Sequence, residues 1–270
     1  MVIGNLSDKH SLEAAALLKK LYTWVPAERI LTTDVWSAEL GRIATNALLA
    51  QQNATLHALS AICSRTDASG PQVSQIVALD PRLAMRAVNG GADEDGLRKD
   101  VDCLVYLAQE LGLCEVAEYW RCVMRVNDAM NHRVAHRMAL RLPERAGSVG
   151  MLGFSCTEGT SSSVGFVRTL VQRGVPVHIY DPYMDRDEIL AALGSDTGVE
   201  VMDYVEKTVS GCSAVVLHTD RGLGLEIDWE AVAGSMQSPC FFLDPFHVMG
   251  RMEQFGFQMD VQDRRQGISM

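Results

Sequence analysis

Apolar and polar positions follow two different periods along this chain, and the change falls just past its middle. The first half repeats at helical spacing. After a short apolar run, Val2–Gly4, that reads as a strand, Ser11–Trp24 sets Leu12, Ala15, Leu18 and Tyr22 on one face, and Pro26 closes it. Asp34 stands where an N-cap belongs, ahead of a very long helix predicted over Val35–Ser64. In that helix Leu40, Ile43, Ala47, Leu56, Leu59 and Ile62 recur at core spacing. Ser69-Gly70-Pro71 interrupts the chain before a short helix, Val73–Ala78. Leu97–Leu111, stopped by Gly112, and Glu115–Leu140 complete an all-helical region. Beyond Pro143–Gly147 short apolar strands alternate with amphipathic helices. The segments are Val149–Phe154, Val164–Arg173, Val177–Tyr180, Glu188–Leu193, Ala214–Leu217, Trp229–Met236 and Cys240–Leu243, with Asp228 and Trp229 opening the last helix. That alternation predicts a parallel sheet with helices on both faces, so the fold class is α/β behind a helical domain.

Composition narrows the setting. A chain of 270 residues holds two compact domains, and 47 % apolar with 21 % charged content is that of an ordinary soluble globular protein. The net charge of −10, with no Lys/Arg cluster to offset it, argues against nucleic acid as a partner. No apolar run approaches membrane-spanning length, and MVIGNLSDKH lacks a signal-peptide core, which predicts a cytoplasmic protein without a membrane partner. Seven cysteines, an odd number, lie scattered in apolar segments (Cys63, Cys103, Cys114, Cys240) and read as reduced, buried thiols. His132 and His136 are four apart on a helix without an evident third ligand, so no metal is expected.

Two places on the helices carry candidate chemistry. Glu39, Arg42, Asn46 and Asn53 recur at spacings of three, four and seven, so they share one polar stripe among apolar residues. The stripe is either a seam satisfied against a neighbouring helix or one wall of a binding site. Lys99 and Asp100 open the next helix and are either a solvated cap or part of the same site. Cys103, one turn further, reads as core. Asp93, Glu94 and Asp95 form an acidic loop, or supply a general acid or base if one of them folds inward. Arg82, after Asp80-Pro81, either caps a turn or binds ligand.

The segment LDPRLAMRAVNGGADEDGLRKDV, Leu79–Val101, resembles the active-site segment of the UDP-glucose 6-dehydrogenase family. There an Asp-x-Arg turn leads to a glycine-rich loop, a cysteine and Lys-Asp at a helix start. Asp80, Arg82, Lys99 and Asp100 match, whereas Gly96 stands where the family keeps its thiol nucleophile, and glycine cannot form the covalent adduct. ERILTTDVWSAELGRIATNALLAQQNATLHALSAIC, LVYLAQELGLCEVAEYWRCVMRVND, VGMLGF, VHIYDP and FFLDP extend the likeness over nearly the whole chain. The resemblance implies a Rossmann-like second domain and the following division. Residues 1–33 would be a remnant of the last strand and helix of a dinucleotide domain, 34–142 a helical dimerisation domain, 147–261 a UDP-binding-like domain and 262–270 a tail. No Gly-x-Gly-x-x-Gly turn follows a strand, so no NAD or other cofactor is expected. The family's phosphate-facing cations are replaced by Thr157, Glu158, Phe246 and His247, and its Gly-Asp-Thr-Arg by Ser161-Ser162-Ser163.

By the same resemblance Arg42 takes the place of an active-site lysine and Asn46 that of an asparagine, so Arg42, Asn46, Lys99 and Asp100 are the catalytic candidates. Glu39, Arg82, Asn89, Asp93, Phe246 and His247 would face the substrate, Arg82 across a homodimer interface. Arginine keeps its proton and offers a planar fork, which suits orientation better than proton shuttling. Two expectations follow. One is a repurposed, cofactor-independent enzyme, an isomerase, lyase or cyclase acting on a weakly charged small molecule between the domains. The other is a non-catalytic relative that pairs with itself or with an intact dehydrogenase.

Overall fold

A computed structural model describes residues 1–6, 8–82, 94–142, 147–154, 162–194, 198–218, 227–238, 240–243 and 257–259. β1 (Val2–Asn5) pairs in parallel with β2 (Leu31–Asp34), and α1 (Lys9–Leu21) crosses between them. Asp8 caps α1 by accepting the Ser11 amide at 2.9 Å. The helix stops at Leu21, three residues short of the predicted Trp24. Of its expected apolar face only Ala15 is buried, while Leu12 and Leu18 are 50 % and 38 % exposed. Two strands offer too narrow a surface to cover more.

Asp34 caps α2 (Val35–Cys63) as predicted, its carboxylate accepting the Ser37 amide at 2.8 Å. α3 (Gly70–Ala78), α4 (Glu94–Glu110) and α5 (Cys114–Arg141) follow. α2, α4 and α5 close around Ile43, Ala47, Ala50, Ala54, Leu97, Val101, Leu104, Val123 and Met124. Leu40 and Ile62, expected in this core, are 46 % and 60 % exposed. Close helix packing selects the alanine ridge and leaves those larger side chains outside. Asn127 on α5 is buried and ties the bundle together, donating to the Ala50 carbonyl at 3.2 Å with His57 Nδ1 3.0 Å from its oxygen. Arg98 on α4 pairs with Asp128 on α5.

The second half alternates as expected through β3 (Val149–Leu152), α6 (Ser162–Val171), β4 (Val177–Tyr180), α7 (Arg186–Leu193), β5 (Val199–Val201), α8 (Val205–Val209), β6 (Ala214–Leu217), α9 (Trp229–Ser235), β7 (Phe241–Leu243) and β8 (Gln258–Met259). The strands pair in parallel in the order β5-β4-β3-β6-β7-β8, a Rossmann-like sheet. β5, α8 and β8, of five residues or fewer, are not among the segments that the sequence pattern predicts. All four residues of β3 are buried because helices cover both faces. α5, α6 and α7 lie against Met151, Ile179 and Val216 on one side, and α8 and α9 against Val215, Leu217 and Phe242 on the other. Gly150 admits the close approach of α8, since a Cβ there would sit 3.0 Å from the Thr208 carbonyl oxygen. α5 serves both halves. Val123 and Met124 fill the helical core, and Ala135 and Met138 the sheet's.

The thiols depart from expectation. Cys103 and Cys114 are exposed, Cys63 and Cys240 are half-buried, and among the described cysteines only Cys212 is buried. For Cys103 on α4 and Cys114 on α5 an apolar neighbourhood in sequence misleads because the helix faces they occupy point outward. No helix among the described residues is long and apolar enough to cross a membrane.

Candidate functional site

Where α2 meets α4, four polar side chains converge at the margin of the helical core. Asp100, 7 % exposed, accepts from Asn46 Nδ2 at 2.6 Å and from Arg42 Nη1 at 3.1 Å, while Arg42 Nη2 stands 3.1 Å from its other oxygen. One turn back along α2, Glu39 receives Arg42 Nε at 3.2 Å and Nη2 at 2.8 Å. The helical spacing of three and four puts the α2 residues on one line, and the first turns of α4 carry Asp100 across to meet them. The Glu39 and Asp100 hydrogen bonds hold the Arg42 guanidinium protonated, raising its pKa above the ordinary value. In return the Arg42 hydrogen bond holds the Glu39 carboxyl below its usual value. The result is a carboxylate fixed in direction by two donors, with a guanidinium whose fork is already filled by two anions. Such a group can pass a proton along a defined line or accept a hydrogen bond from a ligand, but it offers little to a second anion.

The other sequence candidates fall elsewhere. Lys99 is exposed. Arg82 turns back on its own loop: Nη2 lies 2.6 Å from Asp80, its backbone amide also donates to that carboxylate, and 87 % of the side chain is exposed. Within the single chain Arg82 thus takes the turn-capping arrangement on Asp80. Asn89, Asp93, Phe246 and His247 lie outside the described residues, as do Thr157 and Glu158. Gly96, at the thiol's position, sits half-buried in α4, on the same flank as Asp100 and the exposed Cys103. His132 donates to or accepts from Thr169 at 2.7 Å and so joins α5 to α6; no cluster of potential metal ligands occurs among the described residues.

One buried polar pair escaped the sequence reading. Ser163, in the first turn of α6, and His218, which follows β6, lie 3.1 Å apart and are 0 % and 4 % exposed. They sit where the strand order reverses between β3 and β6, the place at which open parallel sheets form a crevice. A histidine directly after an all-apolar strand was the available signal.

The Glu39–Arg42 pair sets a pH dependence. A carboxyl whose folded pKa is depressed stabilises the protein above its unfolded value, here the ordinary 4.5, and that contribution disappears as pH falls through the lowered folded value. Glu39→Gln should therefore melt below the wild type at neutral pH, and the gap should close as the buffer is acidified below about pH 4. Because both side chains are more than half exposed, the neutral-pH gap should also shrink with added salt. Thermal melts of both proteins across pH 3–8 check this; a gap that widens on acidification contradicts it.

Residues 36–129 match the central domain of the UDP-glucose/GDP-mannose dehydrogenase family, and residues 159–251 match that family's UDP binding domain. UDP-glucose 6-dehydrogenase of Mus musculus is 32 % identical over 285 residues, which cover 97 % of this chain and 58 % of the mouse protein. The Caenorhabditis elegans enzyme of the same name is 29 % identical over 277 residues, with 96 % and 58 % covered. The chain thus spans about three fifths of the length of the relatives it matches. Among solved structures, a UDP-glucose dehydrogenase from Pyrobaculum islandicum superposes with a TM-score of 0.65 at 23 % identity, over 92 % of this chain and 55 % of that one. A UDP-N-acetyl-mannosamine dehydrogenase from Staphylococcus aureus gives 0.60 at 16 % identity, over 93 % and 55 %. These superpositions bear on the fold alone.

Proposed function

The chain belongs to the UDP-glucose/GDP-mannose dehydrogenase family, and from that premise we propose a small-molecule enzyme whose reaction needs no dinucleotide. The observation that carries this reading is the convergence of Arg42 and Asn46 on the nearly buried Asp100. In it Asp100 holds or moves a proton on a neutral or weakly charged substrate. Asn46 and Arg42 fix the direction of the carboxylate, and Glu39 anchors Arg42. An isomerisation, elimination or cyclisation needs only such transfers within one substrate, so it asks for neither thiol nor hydride acceptor.

No Gly-x-Gly-x-x-Gly turn follows a strand in these 270 residues, and β1, α1 and β2 stand for the last strand and helix of a dinucleotide domain rather than for its phosphate-binding first turn. Gly96 likewise leaves no nucleophile at the family's thiol position.

The test is a ligand screen. A low-polarity metabolite that occupies the site, at a concentration about 100-fold above its Kd, should stabilise the wild type by ~2.7 kcal/mol, a rise of roughly 5–10 °C in Tm. Asp100→Asn keeps the shape of the side chain and should lose that rise. A ligand that stabilises both proteins equally binds elsewhere and refutes the assignment of the site.

One observation favours a non-catalytic relative instead. The donors of Arg42 are engaged by Glu39 and Asp100 in the manner of a structural seam. On that reading Asp100→Asn lowers Tm and no compound in the screen moves it.

The proposed assembly is a homodimer through the helical domain. Leu40, Leu48, Tyr106 and Tyr119 expose 46 %, 55 %, 63 % and 48 % of their surface on α2, α4 and α5. An isologous contact is the commonest way for such a surface to be covered. Val123 and Met124 of α5 take no part in this surface, because they belong to the helical core. Light scattering at micromolar concentration should give twice the 29.6 kDa chain mass, and Leu48→Glu should return it to a single chain.

A further inference from the structure

We draw no further inference here: the strongest candidate, the exposed apolar surface of the β1–α1–β2 unit around Leu17, Leu21, Trp24 and Leu31, carries nothing because no feature of the described residues shows what covers it.

Discussion

Arg42→Ala and Asn46→Ala should each lower turnover about 100-fold or more on the substrate that the ligand screen identifies, the usual consequence of removing one preorganised donor. Both side chains grip the same carboxylate, Asn46 at 2.6 Å and Arg42 through both ends of its fork. Losing either one frees Asp100 to rotate, so the proton it handles is no longer aimed. The stability cost should be modest, since Asp100 keeps one partner in each variant. Circular dichroism should show the fold intact. Because the two donors act through one group, the double variant should lose little more than the worse single one. Cys103→Ser serves as the control. The thiol is exposed on the flank of α4 that also carries Gly96 and Asp100, so the change should fall within about 0.5 kcal/mol in stability and leave turnover unchanged. Should Cys103→Ser abolish turnover while Arg42→Ala is silent, the orienting role is wrong, and a thiol displaced along α4 is the reacting group.

Long-period signals were legible in the sequence and short or tertiary ones were not. The Asp34 cap, the lengths of α2 and α5, and the alternation from Val149 onward were readable because each repeats a local rule over many residues. The packed face of α2 was misread. Leucine and isoleucine spacing pointed to Leu40 and Ile62, whereas α4 and α5 approach over alanines. Cys103 was read as core for the same reason, since its apolar neighbours in sequence turn inward while it turns out. The polar stripe was visible as a 3-4 spacing, but its partner was not: Asp100 lies 54 residues from Asn46 along the chain, and only tertiary packing brings them to 2.6 Å. The Ser163–His218 pair, 55 residues apart, was hidden in the same way. Arg82 shows the opposite case, in which the local alternative, a turn cap on Asp80, is the arrangement found.

Neither NAD nor UDP-glucose at millimolar concentration should raise the melting temperature of the 270-residue chain. A ligand bound to the folded state stabilises it by mass action, so a flat Tm at 1 mM sets the Kd at or above that concentration. For NAD the obstacle is the missing phosphate cradle: no Gly-x-Gly-x-x-Gly turn follows a strand in the 270 residues, so a pyrophosphate finds no glycine-rich run of backbone amides to receive it. For UDP-glucose the obstacle is charge. Thr157, Glu158, Phe246 and His247 stand where the family resemblance calls for phosphate-facing cations. Each charge-assisted contact contributes ~1.5–3 kcal/mol, so losing even three at these four positions corresponds to an affinity loss on the order of a thousandfold or more. Glu158 adds repulsion to that loss, as does a net chain charge of −10 at low ionic strength. The mouse UDP-glucose 6-dehydrogenase, run beside it with UDP-glucose under the same conditions, serves as the comparison. A rise of several degrees in this chain with either ligand would overturn the charge argument, and with NAD it would also restore hydride transfer as the reaction to test.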